Sequence, residues 1–427
     1  MLKNLYQKLT ITKIMLIALL VRIISWPWTY HGDINAQYWW GKFASEFKWR
    51  GFYDWLFFGG HAPPDQPMIN IYYDWIIRQV YIFFYNIFWY LNVNIPSFPS
   101  KFMQWYFADG NQYLLKIPMI LADILIIYFC YKFTKSKIIA LVLALFPPMI
   151  YNSAVWGSGD SIINLLALLG IYLLWNKKYL LAIIFIVFSV LYKSSLLIWM
   201  PVILVILIKN KISIKNILFS VLFLLILIYL ISLPFNPVEI NPLIWFFRTM
   251  ITKILPGFMD QITVYAMNFW AIIFGFKLKI DSLLILNLIS YRLFSLILCA
   301  LLYFHQIYKL YKNYSLKSLL LCLATISMIT FSFMTRMHER YSFPALIPLL
   351  LLCNYDRRFI KYFVILSVTH FLNIYSVWGI PNTIFLHNIL NTDFTIRIIG
   401  IVNTVVTLGL IFININHNQI NPKKTNI

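Results

Sequence analysis

Long apolar runs, broken by short polar or basic segments, fill most of this chain. Twelve of them, at about 12–28, 113–132, 138–153, 160–175, 179–192, 195–208, 217–234, 282–304, 316–334, 342–353, 361–377 and 396–415, approach or reach the ~20 residues that a helix needs to cross a bilayer. The pattern predicts an all-α, polytopic membrane protein with about twelve transmembrane helices in one domain, 1–427. Two long segments separate the runs, at about 29–112 and 235–281. Within the first, Asp74–Tyr90 starts too polar to span and reads as a helix lying in the membrane interface. Residues 265–276 are apolar and short, as in a re-entrant segment. No internal repeat or soluble domain is visible.

Basic residues orient these spans. With the N-terminus inside, the inner segments hold Lys3, Lys8, Lys13; Lys132, Lys135, Lys137; Lys177, Lys178; Lys209, Lys211, Lys215; Lys309, Lys312, Lys317; Arg357, Arg358, Lys361; and Lys423, Lys424. That is more than half of the 35 Lys and Arg, whereas of 14 acidic residues only Asp356 falls inside. The positive-inside rule selects this orientation and puts both long segments outside. It also accounts for the net charge of +21 without nucleic acid as a partner. The chain is 61% hydrophobic and 11% charged, with mean hydropathy +0.76, more apolar surface than a soluble domain can hide. The first run resembles a signal sequence but lacks a small-residue cleavage site, so it reads as an uncleaved span. Ile, Asn and Lys richness suggests an AT-rich, bacterial genome; a bacterial plasma membrane is favoured over the endoplasmic reticulum.

The distinctive polar residues gather on the outer side. Residues 335–341, Thr-Arg-Met-His-Glu-Arg-Tyr, set Arg336, His338, Glu339 and Arg340 at a membrane edge. Charges are costly in a bilayer and persist where they have partners or a polar ligand. Arginine forks suit phosphate, while Glu339 pairs with a neighbouring arginine or contacts substrate. His31-Gly32-Asp33 follows the first span; Asp33 is either a general base or the N-cap of a helix at 34–46. His61 and Asp65 flank a proline-stiffened turn. In Trp156-Gly157-Ser158-Gly159-Asp160, Asp160 caps the next span or faces substrate. Lys193, in a short outer turn, snorkels or binds phosphate. Lys116 and Asp123 share a helix face; Asp123 needs a partner, and Arg22 is the candidate.

Cys130, Cys299, Cys322 and Cys353 lie in or beside apolar runs and form no CxxC pair, so they read as small buried residues. No metalloprotease, P-loop or dinucleotide motif occurs. Asn35, not a second acid, follows Asp33, so no divalent metal or other cofactor is expected.

In order along the chain these motifs resemble the multi-spanning glycosyltransferases of the C superfold, which take sugar from a polyprenyl-phosphate donor. They are most similar to the dolichyl-phosphate-glucose glucosyltransferases of asparagine-linked glycosylation and to bacterial mannosyltransferase-like relatives. The resemblance runs from about 20 to 345. It rests on Gly32-Asp33-x-x-Ala36-Gln37-x-x-Trp40; the Pro-rich stretch from Asp65-Gln66-Pro67 to Tyr72; Trp156-Gly157-x-x-Asp160; Ala266-x-Asn268-x-Trp270; and His338-Glu339-Arg340. Departures are Asn35, where an acid is common, and Gln66, where an aromatic is usual. The resemblance implies inverting transfer of a hexose, mannose or glucose, to a lipid-linked glycan or surface glycoconjugate at the outer face. Asp33 would be the base; His338, Arg340, Arg336 and Lys193 would hold the donor phosphate; His31, Gln37, Asp65, Trp156, Asp160, Asn268 and Glu339 would contact substrate. A flippase for polyprenyl-linked glycans and a surface-polymer ligase or polymerase are the rival classes.

Overall fold

The computed structural model describes residues 9–47, 49–55, 60, 63–257 and 259–414. Lys3, Lys8, His61, Lys423 and Lys424 lie outside the described residues. The fold is helical, and each of the twelve apolar runs is helical over most of its length. Among the described residues, seven helices are long and apolar enough to cross a membrane: Ile11–Trp28, Ser100–Thr134, Ile214–Ser232, Tyr291–Lys312, Leu316–Phe333, Phe359–Val377 and Asp393–Phe412. This is a multi-pass membrane protein.

The count of twelve is not reached by length, because four apolar helices have only 10–17 residues: Asp160–Trp175, Tyr179–Tyr192, Ser194–Lys209 and Phe343–Cys353. At 1.5 Å per residue such helices fall short of a ~30 Å core. One further run is broken, with Lys137–Ala144 and Pro147–Trp156 meeting at 48°. Pro147 and Pro148 start the second piece, where proline removes donors and disfavours helix at the preceding residue. The run 282–304 is also redrawn. Its first residues form an antiparallel hairpin, Leu284–Ile285 against Ile289–Ser290. Leu286 and Asn287 turn it with φ of +51° and +58°, the left-handed pair of a tight hairpin. The helix starts only at Tyr291.

The predicted interfacial helix is longer, Met68–Asn94. The segment at 265–276 supplies the short helix Phe269–Phe274. Many aromatics of the first outer segment are core rather than belt. Trp40, Phe52, Tyr53, Phe235, Trp245 and Phe246 form one buried cluster across both outer segments. Trp49 stacks on Phe235 at 5.1 Å. Phe52 and Phe235 are fully buried, each contributing up to about 1.5–3 kcal/mol. Tyr72 Oη donates to the Ile231 carbonyl. The two long segments therefore pack against each other through one shared apolar cluster.

Leu316–Phe333 is buried along its length and is the central helix. By contrast Ile214–Ser232 is almost wholly exposed, an apolar surface for lipid. Between spans, Arg22 Nε donates to Asp123 at 2.7 Å with both side chains fully buried, and Ser153 Oγ donates to the same carboxylate. Lys116 does not join them; it donates to the carbonyls of Trp26, Thr29 and Ala154. A buried pair stabilises little against an apolar replacement but is costly to break singly. Asp123→Leu is expected to lose about 3–5 kcal/mol in detergent unfolding. Arg22→Met/Asp123→Leu should recover most of that loss, and a double variant no better than the single would refute the pairing argument.

Candidate functional site

The 335–341 cluster follows directly on helix Leu316–Phe333. Asn268 sets its exit: Asn268 Nδ2 donates to the Phe331 carbonyl, and its Oδ1 caps the backbone of Trp270 and Ala271. Trp270 Nε1 donates to the Phe333 carbonyl. Asn268 is fully buried and does not line the cavity; its side chain is spent on these backbone bonds. Beyond the helix, Thr263–Val264 pairs in parallel with Met337–His338, stapling the second outer segment to the cluster.

Arg336 is also reassigned. Its guanidinium grips buried Asp281 with two bonds, Nε to Oδ2 at 2.7 Å and Nη2 to Oδ1 at 2.9 Å, and its Nη1 reaches the Pro256 carbonyl. The residue holds φ at +65°, an unfavourable value for arginine that these bonds and its N–H contacts to Gln261 and Ile262 sustain. Three of its five N–H donors are thus engaged, so Arg336 fixes the segment while still lining the cavity.

Asp33 is placed from the other direction. Helix Gly32–Glu46 begins right after the first span, and its N-cap is His31, which accepts the Asp33 N–H. Asp33 is thus not the cap, and its carboxylate is left for other partners. Pro147–Trp156 ends in a π turn, Tyr151–Trp156, a geometry frequent at functional sites. Gly157 closes it at φ +78°, where a Cβ would also lie 2.6 Å from Ile34. Both requirements select glycine. The turn aims Trp156 Nε1 at Asp33 Oδ2, 3.1 Å away, and stacks the indole on His31 at 3.9 Å. Trp156 is fully buried and does not line the cavity, so its role here is to orient Asp33.

The two halves meet at Arg340. Its Nη2 lies 3.1 Å from Asp33 Oδ2, its Nη1 2.5 Å from Glu339 Oε1, and its Nε 3.8 Å from Asp160 Oδ2. Asp160 starts its helix without capping it and accepts Lys193 Nζ at 2.5 Å and Ser158 Oγ at 2.8 Å. His338 Nδ1 lies 3.7 Å from Glu339 Oε2. Glu339, buried, orients Arg340 and His338. Enclosure alone would raise its carboxyl, but Arg340 and His338 outweigh that and hold it at about 2. Enclosure would likewise raise Asp33; Arg340, His31 and the Trp156 N–H override it and hold Asp33 well below the usual carboxylate range. Asp65 goes the other way: enclosure raises it, the Gln66 amide offsets part, and the charge of Asp33 adds to the rise.

A cavity of about 600 Å³ joins these groups, lined by Asp33, Gln37, Asp65, Lys193, Arg336, His338 and Arg340 among others. His31, Trp156, Asp160 and Glu339 stand behind that lining as its supports. Two participants had no signal in the sequence, Asp281 and Arg292. Neither lies in a motif; Asp281 ends the segment 235–281, and Arg292 lies inside the run 282–304 that reads as a span. The cavity offers a carboxylate acceptor beside a dense cation network, suited to an anionic ligand that also carries hydroxyls. No family model matches the chain, and a search of curated proteins returns no match.

Proposed function

We propose that the protein is an inverting glycosyltransferase that moves a hexose, mannose or glucose, from a polyprenyl-phosphate sugar to a hydroxyl of a lipid-linked glycan or surface glycoconjugate. The observation that carries the reading is one cavity bearing Asp33 and Asp65 together with Lys193, His338 and Arg340. Phosphate is a good leaving group and departs without an acid, so one base and several cations suffice. Asp33 takes the proton of the attacking hydroxyl; Arg340 and His338 balance the charge growing on the leaving phosphate. Arg340 couples the two tasks. At rest it is shared among three carboxylates. A donor phosphate competes for it, loosens its hold on Asp33 and restores the basicity that the resting contact suppresses. Direct displacement inverts the anomeric carbon.

The test follows labelled hexose from polyprenyl-phosphate hexose in proteoliposomes and reads bond formation and movement across the bilayer separately. A new glycosidic bond without translocation is expected. Translocation with no new bond would overturn the reading in favour of a flippase.

A further inference from the structure

Four permanent cations line the cavity: Lys193, Arg292, Arg336 and Arg340. Three are already committed. Lys193 is bound to Asp160, Arg336 to Asp281, and Arg340 to Asp33, Asp160 and Glu339. An anion reaching those three must compete with resident carboxylates. The Arg292 guanidinium has no hydrogen-bond, ion-pair or aromatic partner among the described residues, and the residue is exposed.

Its position says what kind of anion it meets. Arg292 opens the candidate span Tyr291–Lys312. Leu296, four residues on and so on the same helix face, also lines the cavity. Leu293, Ile297, Leu301 and Phe304 of that helix are exposed, as a lipid-facing surface is. Upstream, the hairpin carries Leu286 and Leu288 at 85% and 83% exposure, an apolar tip suited to lipid rather than water. Ile254, Leu255, Met259 and Met334 extend the apolar wall within the cavity. The cavity thus runs onto a lipid-facing flank with one uncommitted cation at the junction. Helix stability does not explain that cation, because a positive charge in the first turn is at the unfavourable end of the helix dipole. Its backbone is tied to the site: Arg292 N–H donates to the carbonyl of Asp281, whose carboxylate holds Arg336.

We infer that Arg292 is the anchor for the phosphate of an isoprenoid phosphate, held where the cavity opens to lipid, with the chain laid along the apolar flank of Tyr291–Lys312. The inference rests on the donor reading above and assigns its head-group contact to a residue outside all the motifs. The phosphate binds first at Arg292, where it displaces no carboxylate, and then draws on Arg340.

The experiment measures binding of sugar-free polyprenyl monophosphate to the full chain in phosphatidylcholine nanodiscs, with neutral polyprenol and added phosphatidylglycerol as controls. Wild type should prefer the monophosphate to polyprenol. Arg292→Gln should weaken monophosphate binding about ten- to hundredfold, the scale of one charge-assisted bond, with Arg292→Lys between. Because the side chain is exposed, thermal unfolding should be unchanged. Wild-type binding of polyprenol as tight as that of the monophosphate would overturn the donor reading itself. Unchanged monophosphate affinity in Arg292→Gln, with wild-type preference intact, would overturn only the role of Arg292. Equal competition by phosphatidylglycerol would make Arg292 a bulk-lipid contact and also overturn it.

Discussion

Asp33→Asn should reduce turnover by about 10²–10⁴-fold, the range general-base catalysis supplies, while donor binding is kept or tightened, because phosphate no longer competes with a charged Asp33 for Arg340. Asparagine keeps the shape of the side chain, and its Oδ1 can still accept from Trp156 Nε1 and Arg340, which meet the Asp33 carboxylate at 3.1 Å each. What it loses is the capacity to take a proton. The sign of the pH dependence follows from the same contacts. A carboxyl held well below its usual value stays ionised as pH falls through the ordinary aspartate range near about 3.9, so the acid limb of kcat/KM should lie below that value. Asp65 is the internal control. It lines the same cavity but is pushed upward by enclosure, and its Oδ1 is held by Gln66 Nε2. Full activity in Asp33→Asn would end the assigned role; if Asp65→Asn were then inactive, the base would be Asp65. Steady-state transfer with labelled donor, paired with a separate binding measurement, decides between them.

Helices were the legible part of the fold, because apolar runs report burial directly. Their depth was not: Asp160–Trp175 and Phe343–Cys353 are apolar enough to span but too short, and sequence hydropathy does not separate those cases. The stretch 282–290 misled for a related reason, since an apolar hairpin and the start of a span carry the same composition. Arg22 with Asp123 was readable because a buried carboxylate in a span demands one partner and few cations are near. The site was legible as a set of residue types on one side. Its division of labour was not. Arg336 and Asn268 carry motif positions yet spend their bonds on Asp281 and on Phe331. Arg292 and Asp281 carry no motif; Arg292 lines the cavity and Asp281 stands behind it, bonded to Arg336 and to the Arg292 backbone. Which cation is free depends on which carboxylates reach it, and that is a property of packing.

Arg340→Gln should be inactive and, unlike Asp33→Asn, markedly less stable at neutral pH. Removing this guanidinium strips the shared counterion from Asp33, Glu339 and Asp160 at once. Glu339 and Asp160 are buried, and Glu339 keeps only His338 at 3.7 Å. Breaking a buried pair by removing one member costs about 3–5 kcal/mol, because the remaining charge is left uncompensated. The loss must shrink in acid. Glu339 is held down to about 2 in the folded chain, against about 4.3 for an unperturbed glutamate. A lowered carboxyl contributes stability that is fully present above its unfolded value and fades as pH drops towards its folded value. Wild type therefore gives up that contribution between about pH 4.3 and 2, whereas the variant never had it. The gap in unfolding temperature between them should be widest above pH 5, narrow through pH 4 to 3 and close only as pH falls to about 2. Arg340→Lys keeps the charge but not the fork that spans three carboxylates, so it should recover part of the stability and little of the activity. A pH-independent gap would mean that Arg340 supports the fold by packing, through the Trp156 face 5.5 Å from its guanidinium, and not as a counterion.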